Sequence, residues 1–511
     1  MDKKFGSPED FIDNQEICNS DRGSTDPAAQ NLNDNQETRN SDRSHSDSVV
    51  QNFINEQEIW SLLEENSSPP ASQIQEIIAK ARQARGLEPH EVAALIQTTD
   101  PDLLQQMFTV AKEIKEEIYG KRLVLFAPLY ISNHCINNCV YCTYHRSNKD
   151  LKRRKLDMDE IAREVRALLK MGHKRIALET GEHPTECPIE YIVDAMKTIY
   201  SVREGNSNIR RINVNIAATT VENYRKLKEA GIGTYILFQE TYHQETYKKM
   251  HPQGPKSDYL WHLTAMGRAM QGGIDDVGIG VLFGLYDYRF EVMSMLMHAI
   301  HLEKEFGVGP HTISVPRLRP AEGVDLQTFP HLVADEDFKR VVAVLRMAVP
   351  YTGMIISTRE RPGYREELVA LGISQMSAGS CTGVGGYSEE NIHEEDVPQF
   401  FVDDTRSPEE IIQTVCNSGN IPSYCTACYR SGRTGDRFMS LAKTGKIGNV
   451  CGPNAILTFK EYLLDYASPE TREIGEKVIQ DNLNCIDNEK VRGITKQRLK
   501  LLEDGQRDLY F

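Results

Sequence analysis

The sequence predicts an α/β protein: a (β/α)8 barrel of the TIM type, with a helical N-terminal extension and a mostly helical C-terminal domain. Three observations carry that prediction. From about residue 119, short apolar runs rich in β-branched residues alternate with amphipathic helical stretches eight times. Three clustered cysteines follow the first such run, at the strand end where barrels carry their chemistry. A second cluster of three cysteines lies beyond the eighth run, close to the C-terminus.

Residues 1–52 read differently from all that follows. Asn, Asp, Ser, Glu and Arg dominate, and the only aromatics before residue 50 are Phe5 and Phe11. The run Asn14-Gln15-Glu16-Ile17-Cys18-Asn19-Ser20-Asp21-Arg22 returns as Asn35-Gln36-Glu37-Thr38-Arg39-Asn40-Ser41-Asp42-Arg43. Such a segment buries too little apolar surface to offset its ordering entropy, so a disordered tail is expected. Residues 53–118 turn helical: Ile74, Ile77 and Ile78 fall at helical spacing, as do Val92, Leu95 and Ile96. Pro69-Pro70 breaks that stretch, and Asp100-Pro101 starts another helix.

The barrel is expected over 119–385. Its strand candidates are 123–131, 175–179, 211–218, 234–241, 276–284, 311–317, 353–359 and 373–378. Helices lie between them, for example Asp159 to Lys170 with Gly172 as stop, and Arg289 to Phe306 ending at Gly307. The glycine-rich Gly278 to Gly284 run lacks the spacing of a dinucleotide-binding loop and reads as the fifth strand. Residues 386–511 form the C-terminal domain with the second cysteine cluster.

Composition narrows the function classes. A formal net charge of −15 over 511 residues argues against a nucleic-acid or anionic-membrane partner. No stretch approaches the roughly 18 apolar residues of a membrane span. The N-terminus lacks the apolar core of a signal peptide and is too acidic for a transit peptide. Eleven cysteines in a chain without secretory features point to metal or redox chemistry rather than disulfides, and a cytoplasmic location is expected. Cys18, Cys187, Cys381, Cys416 and Cys485 lie outside the clusters and are expected to be packed or exposed thiols.

The clusters carry the chemistry. Cys135, Cys139 and Cys142 are spaced C-x3-C-x2-C, and Cys425, Cys428 and Cys451 are spaced C-x2-C-x22-C. Three thiolates hold three irons of a 4Fe–4S cube and leave the fourth open to a ligand. Two such sets suggest an enzyme working at two places. The alternative is zinc, which favours C-x2-C pairs and four closed ligands; for the second set, a zinc-ribbon remnant or packed thiols stay open.

The first motif, with aromatic Tyr141 before its third cysteine, resembles that of the radical S-adenosylmethionine (SAM) superfamily. Thr180-Gly181-Glu182-His183-Pro184 looks like the glycine–glutamate turn of that superfamily. The resemblance implies a 4Fe–4S cluster at Cys135, Cys139 and Cys142 whose open iron chelates SAM, with Tyr141 and Glu182 binding the cofactor. Gly181 would let backbone approach SAM, and the Glu182 carboxylate would accept a hydrogen bond from the methionyl ammonium.

Longer matches narrow the branch. Phe238-Gln239-Glu240-Thr241-Tyr242-His243, His251-Pro252, Gly254-Pro255-Lys256-Ser257, Gly278 to Asp287 and Pro310 to Arg317 resemble the aromatic-amino-acid lyases. The tail motif, followed by Gly452-Pro453-Asn454-Ala455, is similar to the second-cluster motif of the tyrosine lyases of FeFe-hydrogenase assembly. That resemblance runs from about residue 55 to the C-terminus. It implies cleavage of L-tyrosine between Cα and Cβ by a 5′-deoxyadenosyl radical, giving p-cresol and dehydroglycine. It further implies conversion of dehydroglycine to carbon monoxide and cyanide on iron, at a second 4Fe–4S cluster on Cys425, Cys428 and Cys451. The implied partners are SAM, L-tyrosine, a reductant such as ferredoxin or flavodoxin, and other hydrogenase maturation proteins.

Further candidates are His311, for an extra iron at the second cluster, and Arg359 with Ser377, for the tyrosine substrate. A histidine bonded to backbone is the alternative for His311, and plain structural roles for the other two. His298 and His301 sit on a helix that ends in Glu303 and Glu305, so exposed positions suit them; His262 and Arg268 receive no role. Two rival functions stay open: a tyrosine lyase making dehydroglycine for thiamin thiazole synthesis, and a non-catalytic iron–sulfur carrier.

Overall fold

The structure, a computed structural model, describes residues 52–392 and 397–511. The repeat expected to be disordered, and Cys18 within it, lie outside the described residues. Residues Phe53–Tyr510 form one compact unit.

Eight parallel strands close on themselves: β1 (Arg122–Ser132), β2 (Arg175–Thr180), β3 (Arg211–Asn215), β4 (Tyr235–Ile236), β5 (Val277–Gly280), β6 (Thr312–Ser314), β7 (Gly353–Ile356) and β8 (Gln375–Ser377). β1 pairs with β2 through Ala127↔Ile176 and with β8 through Val124↔Gln375, which completes the barrel. Side chains alternate along each strand. Leu125, Leu129, Ile176, Leu178, Ile212, Val214, Ile313 and Met354 are fully buried in the core, while Phe126, Pro128, Ala177, Glu179 and Asn215 face the lumen. The strand expected over 234–241 keeps two residues, Tyr235 and Ile236, in the regular ladder, and Glu240, with a φ of 67°, adds an isolated bridge to Val281. The Leu237 and Gln239 amides also donate to the Gly278 and Gly280 carbonyls, at 3.1 and 2.9 Å.

The sequence reading did not foresee β9 (Ile421–Ser423), three residues containing a proline. It pairs in parallel with the first residues of β1, Arg122↔Ile421 to Val124↔Ser423. At eleven residues β1 outreaches its neighbours, so its start is free to accept this extra strand. The C-terminal helices Gly448–Asp465, Pro469–Asn484 and Glu489–Glu503 pack on one another, the first also on β9.

The expected helical extension comprises Glu56–Glu65, Ala71–Ala81, Pro89–Gln97 and Pro101–Tyr119. Asn55 and Asp100 cap the first and last by accepting from first-turn amides. Pro101–Tyr119 lies against barrel helix Asp335–Ala348, and Pro89–Gln97 against Tyr288–Phe306. The latter ends at Gly307 in the left-handed region, as the glycine signal predicts. Among the described residues, no helix is long and apolar enough to cross a membrane.

Candidate active site

Cys135, Cys139 and Cys142 sit on the long loop after β1 and line a cavity of about 240 Å3 at the C-terminal end of the barrel. The loop is gripped on several sides. Arg153 donates to the carbonyls of Asn133, Tyr144 and His145, at 2.7, 2.8 and 2.8 Å. Asn137 donates to Glu182 Oε2 (2.5 Å) and accepts from the Lys256 amide (2.9 Å), and the Ile136 amide donates to the Glu182 carbonyl (2.8 Å). Two glycines permit this contact. A Cβ on Gly181 would lie 2.3 Å from the His134 carbonyl oxygen, and one on Gly254, whose φ is +97°, 2.4 Å from Asn137 Oδ1. The close approach that Gly181 accommodates here is thus to the cysteine loop itself.

The donor set fits an iron–sulfur cluster. Burial raises the Cys139 thiol and pushes Cys142 up to about 11 from the ordinary 9. Thiols so placed need a nearby cation to ionise, which bound iron supplies. Among the described residues, no three His, Cys, Asp or Glu side chains are arranged to hold a single metal ion, whereas a cube takes one thiolate per iron.

The other expected residues share this cavity. Glu182 lines it, its carboxyl raised by burial and partly restored by Asn137 and Lys256. The Tyr141 hydroxyl meets His251 Nε2 at 2.8 Å, and His251 Nδ1 lies 2.8 Å from the Tyr247 carbonyl. Donation from Nδ1 to that carbonyl leaves Nε2 to accept from the tyrosine. Arg359 lines the cavity and stacks over the Phe400 ring, 3.3 Å from its centroid. A guanidinium lining the cavity suits an incoming carboxylate. Ser377 accepts from the Thr358 amide at 3.1 Å and so fixes the turn that carries Arg359. Glu179 went unnoticed in the sequence. Burial raises its carboxyl to about 8, against the pull of Asn215 and Arg359.

The second cluster lies at the opposite end. β9 delivers Cys425 and Cys428 to the N-terminal mouth of the barrel, and helix Gly448–Asp465 supplies Cys451. Together they line a cavity of about 50 Å3 with Arg122, Arg175 and His311. The Arg122 charge pulls the Cys451 thiol down and the Arg433 charge the Cys428 thiol, against burial, which still pushes Cys428 up to about 12. His311 is buried and held neutral, near 4. Its ring bonds the Tyr429 hydroxyl (2.6 Å) rather than backbone, and Nδ1 has no hydrogen-bond partner. Three thiols, a neutral imidazole with an open nitrogen and flanking arginines fit an anionic cluster with room for one more ligand.

Not every sequence expectation holds. His298 is 3 % exposed, not a surface residue: its Nδ1 meets the Tyr242 hydroxyl at 2.8 Å, and Phe53 covers it. His301 stacks on the same Phe53 ring at 3.8 Å. His262 bonds the Phe238 carbonyl and Arg268 stacks on Trp261, both structural contacts. The arginines that open β1, β2 and β3 (Arg122, Arg175 and Arg211) also escaped notice. Their signal was a charge at the head of three apolar runs, with meaning only once those ends face a second cavity.

Fold and sites together define a class: a SAM-dependent (β/α)8 enzyme of the radical type, carrying a second iron–sulfur site. Comparison with known proteins agrees. Residues 129–296 match the radical SAM superfamily and residues 314–421 the biotin and thiamin synthesis associated domain. A crystal structure of HydG, a maturase of the FeFe-hydrogenase, is 61 % identical with a TM-score of 0.88, covering 90 % of this chain and 100 % of that one. The HydG of Carboxydothermus hydrogenoformans is 42 % identical with a TM-score of 0.77, covering 89 % and 100 %. A 2-iminoacetate synthase of Salmonella typhimurium is 31 % identical over 347 residues, 68 % of this chain and 89 % of that protein. The chain belongs to the HydG family of FeFe-hydrogenase maturases, within the radical SAM superfamily.

Proposed function

We propose that this enzyme cleaves L-tyrosine between Cα and Cβ to p-cresol and dehydroglycine, and turns the latter into carbon monoxide and cyanide on iron for assembly of the FeFe-hydrogenase active site. The observation that carries the reading is the pair of three-thiol cavities at opposite ends of one barrel. When bound, the first cluster with SAM supplies the hydrogen-abstracting radical, and the second supplies the iron that receives the diatomic products.

The chain's own residues bind, orient and shield. Cys135, Cys139 and Cys142 hold the first cluster. Glu182, kept in place by Asn137, accepts from the methionyl ammonium of SAM, and Tyr141, fixed by His251, closes the loop beside it. Arg359 takes the tyrosine carboxylate through its planar fork, with Ser377 setting its turn. Cys425, Cys428 and Cys451 hold the second cluster, and His311 offers a nitrogen to an added iron. The lumen keeps water from the dehydroglycine fragment. A low-potential reductant and the other hydrogenase maturation proteins are the partners this role requires.

Anaerobic turnover with dithionite, SAM and L-tyrosine, assayed for p-cresol, carbon monoxide and cyanide together, tests the reading. Cys135→Ala should abolish all three products, whereas Cys428→Ala should largely spare p-cresol and lose carbon monoxide. p-Cresol without the diatomics, with both clusters loaded, would point instead to a thiazole-type lyase. SAM cleavage of any kind rules out a passive iron–sulfur carrier.

A further inference from the structure

One stretch of charge opposes that of the whole chain. The formal net charge is −15, yet residues 146–155 hold six cations (Arg146, Lys149, Lys152, Arg153, Arg154, Lys155) against the single anion Asp150. This run folds back on the cysteine loop: the Arg146 amide donates to the Asn137 carbonyl at 2.7 Å, and Asn138 Oδ1 accepts from the Ser147 amide at 3.1 Å. Arg153 and Arg154 are spent on structure, bonding loop carbonyls and Glu160. Arg146 and Lys149 stay exposed, and among the described residues no side-chain partner engages either.

A second cationic segment borders the same loop. Helix Gln244–Met250 exposes Lys248 and Lys249, and its end is tied to the cysteines by Val140 N–H to the Met250 carbonyl (3.1 Å). The Asn138 amide likewise donates to the Gln253 carbonyl at 3.0 Å. Val140, next in sequence to Cys139, is an apolar side chain 40 % exposed at the surface of this loop.

A run of charge is ordinarily a solvated face. This one is distinguished by its place. Electron tunnelling falls off steeply with distance, so a donor must seat close to the cluster, and Val140 is covalently next to one of its ligands. We propose that Arg146, Lys149 and Lys248, around Val140, form the docking surface for an acidic one-electron carrier protein. The carrier is oxidised by one electron and the cluster at Cys135, Cys139 and Cys142 is reduced by one, with no proton or group transferred. The inference rests on the reading of that loop as the SAM cluster site. The cations steer an acidic partner and set its encounter rate, and Val140 gives the dry contact at the centre.

The test uses the full chain, reconstituted, with R146E/K149E/K248E substituted together. SAM cleavage is followed with a reduced acidic flavodoxin or ferredoxin as donor, and separately with dithionite. The expected result is an apparent KM for the carrier raised about tenfold or more, with the wild-type loss of rate at high salt flattened. The dithionite-driven rate stays at the wild-type level. Unchanged carrier KM and salt response would overturn the proposal. So would a defect confined to handing product to another maturation protein. If charge reversal impairs both donors through damage to the loop, R146Q/K149Q/K248Q with verified iron content decides: a carrier-specific rise in KM sustains the proposal, and its absence ends it. Dithionite-driven p-cresol formation by the unaltered chain reports on the lyase reading independently.

Discussion

Replacing Gly181 by alanine adds one methyl group where the cysteine loop rests on the turn after β2. That Cβ would lie 2.3 Å from the His134 carbonyl oxygen, 3.0 Å from the carbonyl carbon and 3.2 Å from Cys135 Cβ. Ordinary contact between such atoms is about 3.5 Å, so the loop must withdraw by roughly 1 Å. The shortest contacts are to backbone, so no side-chain rotation relieves them. The Ile136 amide and Asn137 side chain are bonded to Glu182, the next residue, at 2.8 and 2.5 Å, and a retreat of the loop stretches both. Overpacking of this kind costs about 1–3 kcal/mol. A displacement of about 1 Å at a reacting group lowers rates on the order of a hundredfold. The assay is 5′-deoxyadenosine formation under dithionite, with iron counted in the same samples. Gly181→Ala should lower SAM cleavage about a hundredfold while the C-terminal cluster keeps its iron. Gly493→Ala, with nothing within 4 Å of its Cβ, serves as the silent control. Wild-type cleavage by Gly181→Ala at full iron loading would refute the claim that this glycine sets the cluster loop.

Three further outcomes are expected. Arg359→Lys keeps the charge but loses the planar fork, so KM for tyrosine should rise about tenfold or more while SAM cleavage without tyrosine is unaffected; an unchanged KM removes Arg359 from the tyrosine site. Burial lifts the Glu179 carboxyl from 4.5 to about 8, so the folded protein holds a proton that the unfolded chain releases. That stabilisation is full below the unfolded value and lost as pH rises through the folded one, so Glu179→Gln should gain Tm relative to wild type from about pH 5 to about pH 8.5; a constant difference contradicts the assignment. Arg122→Met removes a cation that lines the same cavity as Cys451 and pulls its thiol down, and the midpoint potential of the C-terminal cluster should fall on the order of 50 mV with p-cresol formation intact. A redox titration followed by EPR reads it, and no shift would place Arg122 outside the field of that cluster.

What the sequence made legible was local. Cysteine spacing survives any fold, and the eight apolar runs each contain a strand because a barrel strand is buried on both faces. β9 was not legible: three residues with a proline carry no periodic signal, and their place is set by pairing with Arg122–Val124, some three hundred residues earlier in the chain. The location of the second cluster hung on that pairing, so its arginines stayed hidden as well. His298 was misjudged for a related reason. Its neighbours Glu303 and Glu305 gave the helix a polar end, but Phe53, distant in sequence, lies across it.

The lumen gives the two sites a relation that neither motif contains. On three adjacent strands, inward residues two apart line opposite cavities. Phe126, Ala177 and Ser377 face the upper one, and Val124, Arg175 and Gln375 the lower. Two residues of strand span about 7 Å, so one layer of side chains separates the chambers. Within that layer Arg175 donates to Gln375 at 3.2 Å, and Arg211 is bonded to Asn213 at 2.8 Å. These polar side chains share the layer with apolar ones, Phe126, Ile236 and Ile355 above and Val124 below. Part of the floor is therefore polar where an eight-stranded barrel is usually filled with branched apolar residues. Polar groups of this kind can exchange a partner in the layer for one on the dehydroglycine fragment as it passes. The length of β1 follows from the same arrangement: its eleven residues run from Arg122 beside the lower thiols to Ser132, three residues before the first upper one. One continuous strand therefore fixes the separation of both chemistries.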